Sequence, residues 1–157
     1  MTGWRIGYLG ANEEIVKQTA KLQGQSTSNP TSISQMASIT ALNDTEADIR
    51  RMVNEFQKRR DILLSSLLKI PSVECYKPVG SFYTFPDFSA FYGKSFKGKK
   101  VENSIQLANF LLEEGKVALV PGVAFGADRN LRLSFAASMD TIQQGVNRID
   151  KALELLD

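Results

Sequence analysis

The sequence predicts a mixed α/β chain with a second, smaller lobe in its C-terminal half. Apolar residues recur at three- and four-residue spacing over residues 45–69, 101–114 and 139–156, the period of amphipathic helices. Aromatic or alternating runs at 81–88, 117–120 and 131–135 have the composition of strands. Between them lie Pro71, Pro78-Val79-Gly80 and Pro121-Gly122, which interrupt either kind of element.

Taken in order, Trp4, Ile6 and Tyr8 alternate with small or polar residues up to Gly10, which predicts a first strand. Asn12 before Glu13 and Glu14 is an N-cap with an acidic first turn, so a helix is expected from Asn12 to Gln23. Residues 24–31 are polar, contain Pro30 and read as a loop, with Thr31 or Ser32 able to cap the next helix. From Ile33 to Leu42 apolar and small residues surround most of the circumference, the pattern of a helix sunk in a core. Thr45 with Asp48 resembles a capping box and opens the longest helix, to about Lys69. A second lobe is expected from Ser72, with an aromatic strand over 81–88 and an exposed Gly/Lys-rich loop over 89–100. It continues with a helix over 101–114 that Gly115 caps, two strands around Pro121-Gly122 and a closing helix from Met139 to Leu156.

The 157 residues suffice for one domain, or a domain and part of another, and 43% hydrophobic content can build a core. No apolar run nears the roughly 20 residues of a membrane span, and no leader pattern opens the chain, so no membrane partner is expected. With one cysteine, Cys75, and no histidine, neither an internal disulfide nor a zinc site is expected, and a reducing cytoplasm is the expected compartment. The lack of histidine also excludes Ser-His-Asp and Cys-His catalysis and any histidine base. A net charge of +2, with basic stretches at 58–60 and 97–100 that are short and far apart, gives no expectation of nucleic-acid binding. Chemistry would have to come from lysine, carboxylates, tyrosine or a cofactor.

Four segments carry a more specific signal: Met1-Thr2-Gly3-Trp4-Arg5-Ile6-Gly7-Tyr8, Gly80-Ser81-Phe82-Tyr83, Pro121-Gly122-Val123-Ala124-Phe125-Gly126 and Leu131-Arg132-Leu133-Ser134-Phe135-Ala136. In this order and spacing they resemble the class I and II aminotransferases of the aspartate aminotransferase family, over nearly the whole chain. The resemblance implies the C-terminal part of the fold-type I pyridoxal-phosphate-dependent transferase fold. Residues 1–44 would be the remnant of the large cofactor-binding domain, 45–71 a long connecting helix and 72–157 the small C-terminal domain. It further implies a cofactor, pyridoxal 5'-phosphate, and a homodimer that moves an amino group between an amino acid and a 2-oxo acid, with aspartate or another dicarboxylic or aromatic amino acid the preferred donor class.

The resemblance implies roles residue by residue. Arg5 matches the arginine that pairs with the cofactor phosphate, and the forked guanidinium suits that dianion. Arg132 matches the arginine that grips the substrate α-carboxylate. Read without the resemblance, either would be an ordinary strand arginine pairing or snorkelling at a surface. Ser28 and Asn29 resemble a loop near the neighbouring subunit's site, and an ordinary polar turn explains them equally well. Phe82 and Tyr83 resemble an aromatic segment facing substrate, although aromatic strand residues are more often core. Pro121-Gly122 and Phe125-Gly126 read as turn formers. The lysine that holds the cofactor in this family lies in a Ser-x-x-Lys segment just before the Gly-Trp-Arg motif, and these residues do not include it. No catalytic residue is therefore assigned, and the chain alone is expected to be inactive. A non-catalytic dimerising or partner-binding fragment is the alternative, since a first strand without neighbours would favour association.

Overall fold

Asn12 starts the first helix of the computed structural model, which describes residues 1–157. Its side-chain oxygen accepts from the Glu14 amide at 2.9 Å, and α1 runs Glu13–Ser26. The cap satisfies an amide that every helix start leaves without a partner, and Glu13 and Glu14 sit against the positive end of the helix. Helix α2 covers Ser32–Asn43 and α3 covers Glu46–Leu67. Thr31 stands at the α2 N-cap without a side-chain bond. The expected capping box does not form, because the Thr45 hydroxyl donates backwards to the Ala41 carbonyl at 2.7 Å.

The chain divides inside α3 into two units, Met1–Arg51 and Met52–Asp157. In the first, Ser34 is the one buried residue, and its hydroxyl donates to the Trp4 carbonyl at 3.2 Å. The helix expected in a core lies open instead: Ile33 and Leu42 are 70% exposed and Met36 67%. Its apolar pattern asks for neighbours on several sides, and the unit supplies few. The strand expected over Trp4–Gly10 is likewise not formed. Thr2–Trp4 is a turn of 3₁₀ helix, Arg5 follows in the left-handed region at φ 54°, and no strand of this unit offers a ladder. A strand's amides and carbonyls need partners, and the alternating pattern cannot provide them.

The second unit has a dense core around a three-stranded antiparallel sheet. Strands β1 (Tyr83–Thr84), β4 (Val120–Pro121) and β5 (Leu131–Ser134) lie in the order β1-β5-β4, with Tyr83 opposite Ser134 and Val120 opposite Arg132. Leu131 and Leu133 point inward from β5, and Leu107 and Leu111 of α4 (Ser104–Glu113) join them, all buried. Burying one such side chain contributes about 1.5–3 kcal/mol. Helix α5 (Met139–Leu153) presents Ile142, Val146, Ile149 and Leu153 at spacings of four, three and four, and all four are buried. Asn103 and Ser138 cap α4 and α5 through their side-chain oxygens.

Two further expectations are corrected here. Residues 89–100 are a small structured piece, with Phe91 buried and a hairpin of β2 (Ser95–Phe96) and β3 (Lys99–Lys100). Lys97 and Gly98 make its two-residue turn with φ of 49° and 76°, the doubly left-handed geometry that suits the twist of a hairpin. Gly115 does not supply the left-handed residue after α4; Lys116 does, at φ 55°. No helix is long and apolar enough to cross a membrane.

Candidate functional site

The alternation of β5 buries Leu131 and Leu133 and turns Arg132, between them, to the other face. There its guanidinium carbon lies over the Tyr83 ring, 4.3 Å from the centroid, and over the Phe125 ring at 4.7 Å. Tyr83 comes from the neighbouring strand β1, and Phe125 from a 3₁₀ turn, Gly122–Phe125, that follows β4. Arg132 takes part in none of the chain's ion pairs. Ring stacking uses the faces of a guanidinium, whereas its N–H groups point outward in the plane. The two rings thus lie against the cation, and no ion pair within the chain engages it.

The turn that carries Phe125 is tightly made. Gly122 donates to the Asn130 carbonyl at 2.8 Å and accepts from the Ala127 amide at 3.0 Å. A Cβ at position 122 would stand 2.1 Å from the Ala127 oxygen and 2.2 Å from the Asn130 oxygen, so only glycine fits. Gly126 closes the turn at φ 74°. The Asn130 side-chain amide reaches the Phe85 carbonyl at 2.8 Å, and Phe85 meets Phe125 edge to face at 5.9 Å. Ser104, fully buried at the start of α4, donates its hydroxyl to Asp128 at 2.6 Å and accepts from the Val123 amide at 3.2 Å.

Two groups nearby have displaced pKa values. Burial, then the charges of Asp128 and Asp87, pushes the Tyr92 phenol up to about 12, and its hydroxyl donates to the Asp128 carbonyl. Burial pushes the Asp87 carboxyl upward, but hydrogen bonding from Ser89 and the Arg129 guanidinium at 3.0 Å outweigh it, leaving the group below its ordinary value.

The structure therefore brings Arg132 and Tyr83 together and separates Phe82 from Tyr83 in kind. The Phe82 ring packs on the core and touches Tyr83 at 4.2 Å between centroids. Phe125, read from sequence as a turn former, joins the arginine; its neighbour Gly126 was the visible signal, and the ring contact was not. Arg5 belongs to the first unit, exposed and outside every ion pair, with open space where Gly3 and Gly7 would carry a Cβ. Ser28 and Asn29 lie in the same unit. Ser28 is left-handed at φ 63° and donates its amide to the Gln23 carbonyl at 2.9 Å, and the Asn29 side chain bonds the Pro30 carbonyl at 3.0 Å. No lysine of the chain is buried, and its Cys, Asp and Glu residues form no cluster that could hold a metal.

The chain as a whole resembles known proteins. The family model for aminotransferase class I and II matches residues 1–149. The chain is 48% identical over 157 residues to a protein of Rickettsia typhi named "Probable aspartate/prephenate aminotransferase", covering 99% of this chain and 39% of that one. A protein of the same name from Aquifex aeolicus is 46% identical over 156 residues, 98% of this chain and 38% of its own. A crystal structure of the aspartate aminotransferase from Rhizobium meliloti superposes on all of the chain with a TM-score of 0.91 at 40% identity, over 40% of that protein. The chain thus spans about two-fifths of the length of the relatives it matches. Its mixed helix-and-sheet fold is that of the matching portion of aspartate aminotransferases, and with a family model over nearly its whole length the chain belongs to the class I and II aminotransferases, a family of enzymes.

Proposed function

We propose that these residues form the C-terminal portion of a pyridoxal-phosphate-dependent aminotransferase, contributing its grip on the substrate carboxylate. The observation that carries this is the Arg132 guanidinium, stacked on Tyr83 and Phe125 and free of any acidic partner within the chain. A guanidinium beside two aromatic rings, with no acidic partner in the chain, suits a planar carboxylate, which it can receive in two parallel hydrogen bonds. The substrates would be an amino acid and a 2-oxo acid, with aspartate the preferred donor; the names of the relatives support that choice.

The residues present fit one end of the cofactor. Arg5 has a guanidinium without an internal partner on a glycine-flanked segment, which suits a phosphate, and would hold that group in the complete enzyme. Pyridoxal phosphate, when bound, supplies the electron sink that makes the substrate Cα proton removable. The amine that would hold it and carry that proton has no counterpart here: a nucleophilic lysine needs desolvation or a neighbouring cation, and every lysine of this chain lies wholly or partly in solvent. These 157 residues therefore bind and orient, and the proton transfer belongs to the remainder of the enzyme. We place Ser28 and Asn29 at the edge of the site across a homodimer, and the parent enzyme in the cytoplasm, a reading that the single, half-buried Cys75 of these 157 residues suits.

The test is Arg132→Lys in the full-length enzyme, which keeps the charge and loses the fork. KM for L-aspartate should rise roughly ten- to hundredfold, the worth of a charge-assisted bond. An unchanged KM for amino and oxo acids would remove Arg132 from the site. A second reading, a non-catalytic dimerising or partner-binding fragment, is favoured by the open apolar side chains of α1 and α2, Leu22, Ile33, Met36 and Leu42 among them.

A further inference from the structure

We propose that the Ser104–Asp128 bridge is the positioning device for the carboxylate-binding arginine, acting through the Gly122–Phe125 turn and without touching substrate; the inference rests on Arg132 being the carboxylate ligand. Ser104 has no exposure at all, and a buried hydroxyl must satisfy both its proton and its lone pairs. It does so across three pieces of chain. Its proton goes to Asp128, whose same carboxylate oxygen also accepts the Ser104 amide at 3.0 Å, and its oxygen receives the Val123 amide. One side chain on α4 thereby ties residue 128, beyond the turn, to residue 123, inside it.

Phe125 lies two residues after that anchor, and its ring is one of the two on which Arg132 rests. The other ring, Tyr83, is fixed by strand pairing. Phe125 has no such ladder: its backbone lies in a 3₁₀ turn, and the side chain is half exposed. Without Asp128 the Ser104 hydroxyl loses the acceptor that aims it, and without that hydroxyl the Val123 amide loses its partner; in either case the ring is freer to leave the guanidinium. Arg132 would keep its charge and its strand but lose one of the surfaces that set the direction of its fork. Asp128 itself is exposed, which makes it the safer position to alter.

The experiment uses the full-length enzyme with L-aspartate as the varied substrate. Asp128→Ala should raise KM roughly three- to tenfold, the range of a lost cation–π contact, with kcat within about twofold. Asp128→Asn keeps the accepting oxygen and should restore KM. Ser104→Ala, which removes the hydroxyl without adding bulk, should move KM in the same direction as Asp128→Ala. In an Arg132→Lys background Asp128→Ala should have little further effect, since both changes act on one contact. A fall in kcat at unchanged KM, failure of Asp128→Asn to rescue, or full additivity with Arg132→Lys would each overturn the proposal. If Arg132→Lys raises KM and Asp128→Ala does not, the bridge alone is refuted; if Arg132→Lys has no effect, the carboxylate reading falls and takes the bridge with it.

Discussion

Tyr92 and Arg132 show how far a single side chain is set by what surrounds it. Burial and two neighbouring carboxylates hold the Tyr92 proton up to about 12, from an ordinary value of 10.0. A proton bound more tightly in the folded state than in the unfolded one stabilises the fold fully below the unfolded pKa, and that contribution is lost as pH rises through the folded one. The urea midpoint of this chain should therefore decline between pH 10 and 12, and Tyr92→Phe should decline less over the same interval. Equal slopes for the two proteins would show that the phenol is not held as described. Asp87 acts with the opposite sign: its lowered carboxyl stabilises above its unfolded pKa and ceases to as acid protonates it.

At the scale of elements, the contact between α4 and α5 depends on Gly115. A Cβ there would lie 2.8 Å from the Leu111 oxygen and 3.3 Å from both the Ala152 Cβ and the Arg148 oxygen. Two of those three atoms are backbone, so Gly115→Ala should cost about 1–3 kcal/mol, measured by chemical denaturation. A neutral substitution would mean the helices can part without loss. Sequence alone pointed to a glycine at this place for a different reason, a left-handed cap, which in fact falls to Lys116. Much else was legible because it is local. The caps at Asn12, the stripe along α5 and the alternation around Arg132 each follow from a few neighbouring residues. The strand expected at Trp4–Gly10 and the buried α2 were not, since both depend on partners that no local pattern supplies. The same holds at the site: Arg132 and Tyr83 were visible as residue types, whereas the Phe125 contact arises from residues far apart in sequence meeting in the fold.

Across the whole molecule, the contrast is between a second unit with a packed core and a first unit that buries little more than Ser34. On the proposed reading, such a chain supplies binding side chains and not the reactive amine. Pyridoxal phosphate added to the purified 157-residue protein, followed by borohydride and peptide mapping, should yield no stoichiometric pyridoxyl-lysine and no transamination. A single adduct with turnover would reverse the assignment of the reactive amine to the rest of the enzyme. Sedimentation of the same sample bears on the open apolar faces, which favour self-association.

The Gly122 turn has a consequence for anyone wishing to vary the surroundings of Arg132. Carbonyl oxygens crowd the space beside its Cα, so a mutational library that varies position 122 spends its diversity on sequences that cannot close the loop. Val123 and Ala124 point to solvent on the same turn, next to the Phe125 ring. They are the places where new side chains can be tried while the scaffold beneath the arginine stays intact.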